Sequence, residues 1–257
     1  MSQRDQEMRG AALVTGAARR VGRAIARDLA DHGYAVAIHC NRSADEGHRL
    51  AEEIRRSGGR AAVVTAELGD EAAVAGLVRQ ATDAVGPLDV LVNNASVFED
   101  DRFETVTRES WDLHLNVNLR APFLLAQTFA AALAPGKLGN IVNIIDQRVW
   151  RLTPKFFSYT LSKAGLWALT QTMAQALAPR IRVNAIGPGP VLPSYRQSEE
   201  GFAAQVAAVP LKRQAQLSEI CAAVRFILES PSMTGQMIAL DGGQHLAWQT
   251  PDALVDE

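Results

Sequence analysis

Short apolar runs alternate along this chain with longer stretches whose apolar residues recur every three or four positions. The first kind reads as buried strands and the second as amphipathic helices. Residues 11–14 form the first apolar run, which ends in Thr15-Gly16. Residues 20–31 place Val21, Ile25 and Leu29 on one helical face, with Gly33 set to close the helix. Residues 34–39 predict a second strand. Ser43-Ala-Asp-Glu46 predicts a capping box that opens a charged helix ending at Gly58-Gly59. The remaining strands are predicted at 61–65, 88–92, 140–145, 181–186 and 237–240. Between them fall helices over 71–85, 109–133, from Tyr159 to Leu177, a short one over 201–209, and 218–228.

Strands separated by helices of this length imply right-handed crossovers and a parallel sheet. The expected fold is α/β: one doubly wound, Rossmann-type domain with helices on both faces, spanning 1–257 after a polar leader over 1–9. Such sheets bind ligands beyond the carboxyl ends of their strands. The residues that break periodicity fall at those ends: Thr15-Gly16, 39–43, 93–96, Asp146 and 187–189.

Composition narrows the field. The net charge of −2 argues against a general nucleic-acid or membrane-surface binder. No apolar run reaches the length of a membrane span, and MSQRDQEMRG has no hydrophobic signal segment. A cytoplasmic location is expected. Cys40 and Cys221 are too few for a disulfide framework or a thiolate metal site, and both read as apolar fillers. No metal is expected, and the sequon Asn41-Arg42-Ser43 is irrelevant in the cytoplasm.

The candidate chemistry lies between Ile144 and Lys163. Tyr159 and Lys163 are four residues apart on one helix, so phenol and ammonium share a face. Tyrosine ionises near 10, and ready proton exchange at neutrality needs about 4 kcal/mol of added preference for the phenolate. A nearby lysine charge supplies part of that. Asp146, at the mouth of the preceding strand, adds a carboxyl that can hold or pass on a proton.

With these pieces in order, the chain resembles the short-chain dehydrogenase/reductase family over nearly its whole length. The family's Thr-Gly-x3-Gly-x-Gly stands here as Thr15 to Gly22, with Arg20 replacing the middle glycine. Asn93-Asn-Ala95, Asn118 before Pro122, Tyr159-x3-Lys163 and Pro188-Gly189 follow in the family's order. Thirteen residues before the tyrosine, where the family has a serine, this chain has Asp146. That exchange, with Arg20, Asn41-Arg42-Ser43 and Asn94 to Phe98, resembles the pteridine reductases and the dihydromonapterin reductases within the family, and the ending Asp241 to Leu246 resembles the latter.

The resemblance implies a nicotinamide cofactor on Gly16, Arg20, Val21, His39, Asn41, Arg42, Ser43, Glu67, Leu68, Asn94, Ala95, Ser96, Lys163, Pro188 and Gly189. NAD-preferring relatives carry an acid near the end of strand two. None stands between Ala35 and Ser43, and Arg42 with Ser43 can bind a 2′-phosphate, so the expected cofactor is NADPH. Arg20 reads either as a phosphate ligand or as a surface arginine paired with Arg19. Glu67 can instead be a solvated helix-start acid and Ser96 a turn residue.

Catalysis is expected from Asp146, Tyr159 and Lys163, with Asn118 holding a water that leads to the lysine. Asn118 can otherwise be a helix polar group bonded to backbone. A carboxylate opposes a developing alkoxide, whereas a pterin presents C=N bonds and N–H donors that suit a carboxyl. Arg20, Phe98, Asp146, Tyr159 and Tyr195 are the expected substrate contacts, Phe98 either stacking on the heterocycle or filling the core. The loop 148–150 and residues 192–197 are expected to line or cover the pocket, and His245 to lie near a neighbouring subunit. The expected activity is NADPH-dependent reduction of a 7,8-dihydropterin such as dihydromonapterin, in a homotetramer. The alternatives are a carbonyl reductase of 3-oxoacyl or other ketones, and an NADPH-binding regulatory protein without turnover.

Overall fold

A computed structural model describes residues 9–248. Seven strands form one parallel sheet in the order β3-β2-β1-β4-β5-β6-β7. They are β1 (Gly10–Val14), β2 (Tyr34–Cys40), β3 (Arg60–Thr65), β4 (Val90–Asn93), β5 (Gly139–Ile144), β6 (Ile181–Pro188) and β7 (Met237–Leu240). The helices are α1 (Arg20–Asp31), α2 (Ala44–Arg56), α3 (Glu71–Val85), α4 (Arg108–Leu115), α5 (Ala121–Ala132), α6 (Phe157–Leu177), α7 (Glu199–Ala208) and α8 (Leu217–Glu229).

The sheet is buried on both faces, which is why its strands read as mainly apolar runs. Successive β1 residues feed opposite cores: Ala11 and Leu13 pack with α3, α5 and α6, whereas Ala12 and Val14 pack with α1, α2 and α8. Leu13, Leu91, Ile38 and Ile141 are fully buried, each contributing about 1.5–3 kcal/mol. The strand order reverses between β1 and β4, which opens a crevice at the carboxyl edge.

Two expectations are corrected. The Ser43 hydroxyl makes no capping bond, its backbone (φ −105°, ψ 41°) lacking the extended conformation of a capping residue, and the Glu46 carboxylate turns to Arg19 in the loop after β1 instead of back to Ser43. The helix expected over 109–133 is α4 and α5 joined by a π turn over Asn116–Arg120. Pro122 explains it: a proline ring clashes with the carbonyl four residues earlier, here that of Asn118. Ala121 N–H therefore reaches back to the Asn116 carbonyl, and the wider turn absorbs the clash. Of the expected leader only Arg9 lies within the described residues, its N–H on the Gly33 carbonyl at 3.1 Å. Among the described residues no helix is long and apolar enough to cross a membrane.

Candidate active site

The loop after β1 is a tight turn clamped from three sides. Gly16 has φ +61°, and a Cβ there would lie 2.9 Å from Ala95 Cα. A Cβ on Gly22 would lie 2.3 Å from the Gly16 carbonyl, so α1 can start against the loop only with glycine at both positions. Asn94 Nδ2 donates to the Thr15 and Gly16 carbonyls at 2.9 and 3.2 Å. The Thr15 hydroxyl accepts from the N–H groups of Asn94 and Ala95. Gly16 N–H donates to His39 Nδ1 at 3.2 Å, leaving Nε2–H for the Ala66 carbonyl at 3.1 Å. Both ring nitrogens of His39 are therefore spent inside the protein, and burial lowers its pKa. His39 braces the glycine loop instead of reaching outward.

Arg20 occupies left-handed space, φ 53°, where an L residue costs about 1–2 kcal/mol. That strain accounts for the glycine expected at this position. The guanidinium donates to the Leu192 and Pro193 carbonyls at 3.2 and 2.9 Å, tying the glycine loop to the segment after β6. Helix α1 then opens with no side-chain cap and no acid in its first turn. Its N–H groups and positive dipole end stand at the carboxyl edge, where they suit a phosphate. Val21, in the first turn of α1, is partly buried against the core.

At the end of β2, Asn41 donates to Glu67, whose other oxygen accepts from Gly69 N–H at 3.1 Å. Arg42 is exposed and has no hydrogen bond or ion pair among the described residues, while Ser43 beside it is half-buried. Leu68 is buried and Ser96 exposed, its hydroxyl on the Val97 carbonyl. Pro188 and Gly189 line the main cleft, and a Cβ on Gly189 would lie 2.7 Å from Asp241 Cα. An uncapped helix start, a glycine cradle and an unpartnered arginine fit a dinucleotide bearing a 2′-phosphate.

Asp146, Tyr159 and Lys163 converge beside this edge. The Tyr159 hydroxyl donates to Asp146 Oδ2 at 3.0 Å, and Arg148 N–H donates to Oδ1 at 2.8 Å. Lys163 is buried and donates to the Ile144 carbonyl at 3.0 Å, its Nζ 5.8 Å from the centre of the Tyr159 ring. Burial, and next the Asp146 charge, push Tyr159 well above its usual pKa, against the pull of Arg148. This corrects the expectation that lysine lowers the phenol: in the protein alone Tyr159 is held protonated. Burial brings Lys163 down to about 8, with Asp146 opposing.

Asn118 is fully buried in the π turn. Its Nδ2 donates to the Val97 carbonyl and the Ser162 hydroxyl at 2.9 and 3.1 Å, and its Oδ1 accepts from Val97 N–H at 2.8 Å. The side chain thus joins the segment after β4 to α6.

A cleft of about 500 Å³ opens in front of Asp146 and Tyr159, with Arg20, Phe98, Arg148, Phe156 and Arg196 in its wall. Phe98 stacks on Phe156, ring centres 4.3 Å apart, and meets Tyr159 edge-on at 4.7 Å. Tyr195, expected at the substrate, is 79% exposed and outside the cleft lining, its hydroxyl on Glu99 at 2.9 Å. Its neighbour Arg196 faces the cleft instead and pairs with Glu99. Trp150 likewise packs on Trp167 and His245 and lies outside the lining, whereas Arg148 lies within it. Sequence reasoning missed Phe156. Its left-handed φ of 56° at the start of α6 carries no signal in a phenylalanine.

Comparison with known proteins follows this geometry. A family model described as enoyl-(acyl carrier protein) reductase matches residues 16–245. A 3-oxoacyl-(acyl-carrier-protein) reductase of Staphylococcus aureus is 31% identical over 245 residues, covering 93% of this chain and 100% of the relative. A short-chain type dehydrogenase/reductase of Picea abies is 32% identical over 248 residues, 91% of each chain. Among solved structures, FolM alternative dihydrofolate reductase 1 from Brucella suis in complex with NADP has a TM-score of 0.93 and 57% identity, covering 95% of this chain and 98% of that one.

Proposed function

The chain belongs to the short-chain dehydrogenase/reductase family and is an NADP-dependent oxidoreductase, and from that premise we propose that it reduces the C=N bond of a 7,8-dihydropterin such as dihydromonapterin. The observation that carries this reading is the Asp146 carboxyl, turned into the cleft and accepting the Tyr159 hydroxyl at 3.0 Å. A carboxylate there repels the alkoxide that forms when a ketone is reduced, but it suits ring nitrogen and N–H groups. The 57% identity to a structure named for dihydrofolate reduction supports the same substrate class.

The bound nicotinamide supplies hydride. The uncapped start of α1, Gly16, Asn94 and Ala95 would hold the dinucleotide, with Arg42 and Ser43 on the 2′-phosphate. Tyr159 gives its proton to the ring nitrogen. Asp146 orients the hydroxyl and can take up a proton in turn, and the Lys163 charge stabilises the phenolate left behind. Asn118 fixes α6 against the wall that carries Phe98. Cytoplasmic location and a homotetramer complete the proposal, and light scattering tests the latter.

Reduction of 3-oxoacyl ketones is the second reading, favoured by the Staphylococcus aureus relative. An assay of NADPH oxidation with 7,8-dihydropterins against a panel of small ketones and 3-oxoacyl thioesters separates the two. Turnover of the dihydropterins is expected, and rapid turnover of ketones alone would reject the pterin reading.

A further inference from the structure

The cleft holds a cation, Arg148, whose side-chain hydrogen-bond donors proton delivery does not use. Arg148 lies in the short 3-10 turn Gln147–Val149, two residues after Asp146. Its guanidinium carbon is 5.1 Å from the centre of the Phe156 ring, 5.6 Å from Tyr159 and 5.9 Å from Phe98, so the cation rests on an aromatic wall. Nη1 donates to the Lys155 carbonyl at 3.2 Å. Nε is closed off from the cleft and faces Asp146 Oδ2 in an ion pair at 3.9 Å, too long for a hydrogen bond. Two more buried polar atoms without a partner belong to lining residues of the same cleft, Gln147 Oε1 and Gln244 Oε1. A guanidinium has donors only. Nη2 makes no hydrogen bond among the described residues, and the group it can reach from the cleft wall is an acceptor on the ligand, beside the atom that Tyr159 protonates.

A 7,8-dihydropterin, the reading on which this inference rests, carries such an acceptor. Its reduction adds hydride at C6 and a proton at N5, and the lactam oxygen on C4 lies next to N5 along the same edge of the ring system. We propose that Arg148 is a specificity-determining residue that donates to the C4 oxygen while Tyr159 and Asp146 serve N5. The C6=N5 double bond becomes a single bond bearing one new C–H and one new N–H. The electron pair comes from reduced nicotinamide and the proton from the Tyr159 hydroxyl. Arg148 keeps its protons throughout. A simple ketone has no second acceptor at this place, so Arg148 would read the pteridine edge and not the reducible bond.

The test compares a 4-oxo-7,8-dihydropterin with its 2,4-diamino counterpart, in which the acceptor oxygen becomes an amino donor. For wild type, Arg148→Met and Arg148→Lys, the readouts are kcat/KM on the 4-oxo compound and the inhibition constant of the diamino compound. NADPH affinity, followed by nicotinamide fluorescence, reports whether the variants keep the fold. Arg148→Met should lower kcat/KM by about tenfold to a hundredfold, the range of one charge-assisted hydrogen bond. The diamino constant should stay unchanged, and Arg148→Lys should recover part of the loss. Equal losses on both compounds, or loss on neither, overturn the proposal and leave the pterin reading standing. A wild type that turns over no dihydropterin overturns both. Should Arg148→Met fail to bind NADPH, Arg148→Lys decides alone, because discrimination equal to wild type would overturn the assignment.

Discussion

Lys163 is an ammonium group with one carbonyl for a partner and almost no contact with water. Burial brings its pKa to about 8, while the neighbouring phenol is driven the other way. In the proposed mechanism, proton donation by Tyr159 leaves a phenolate, which a charged Lys163 stabilises beside Arg148. The charge is present below about pH 8 and lost above. The kcat/KM for reduction should therefore be level below about 8 and fall on the alkaline side, approaching tenfold per pH unit. A profile that stays flat to pH 10 would remove Lys163 from the proton path. Tyr159, Lys163 and Asp146 were legible because their spacing survives in the sequence. The outward turn of Tyr195 and the inward lock of His39 were not, since each depends on a partner far along the chain, Glu99 and Ala66.

Helix α6 carries Tyr159 and Lys163, the proposed proton donor and its cation, and its first turn is held from outside. Asp101 Oδ1 accepts from Ser158 N–H at 3.0 Å, Oδ2 accepts from the Ser158 and Ser110 hydroxyls, and the Asp101 carbonyl accepts from Phe157 N–H at 3.1 Å. A residue 57 positions away thus caps the helix that presents Tyr159. His114 completes the buried group, its Nδ1 2.7 Å from the Ser158 hydroxyl. Asp101→Ala would strand several donors, and the expected cost is about 3 kcal/mol, read as a lower urea midpoint with unchanged slope. Stability equal to wild type would show that the network contributes nothing. Burial alone would raise the Asp101 pKa, but the bonds from Ser158 and Ser110 outweigh it and hold the group below its usual value. Its contribution is therefore complete above about pH 4 and is lost as pH falls through the lowered value.

The helices themselves were legible, since apolar periodicity depends on near neighbours. The cap from Asp101 and the π turn at Asn118 were not. One is a contact across the fold, and the other is a steric response to Pro122 that a helical pattern conceals.

Taken together, the strands bring the proposed cofactor and proton-transfer groups to the carboxyl edge of the sheet, where the order reversal between β1 and β4 opens a crevice. The strands were legible because burial on both faces leaves mainly apolar residues in them, with a few hydrogen-bonded polar ones such as Asn143 and Asn184. Two buried histidines tie the loops of that edge to the core, His39 under the glycine turn and His114 under the Phe98 wall, where it accepts from Glu99 N–H at 3.0 Å. Burial lowers the pKa of both, so each stays neutral in the fold and takes up a proton on unfolding. A lowered folded pKa gives stability that is present above about pH 6.5 and lost as pH falls through the folded value. Unfolding free energy should accordingly drop between pH 7 and pH 5, and His39→Gln should flatten that slope. Equal slopes would place the acid sensitivity elsewhere.

The central claim is that a carboxyl in place of a hydroxyl, bonded to Tyr159, directs this fold to C=N reduction. The most direct measurement is the ratio of kcat/KM for a 7,8-dihydropterin to that for a small ketone, in wild type and in Asp146→Ser. The substitution is predicted to lower pterin turnover by about a hundredfold or more, the usual contribution of a positioned acid or base, while ketone turnover holds or rises. An unchanged ratio would contradict the account.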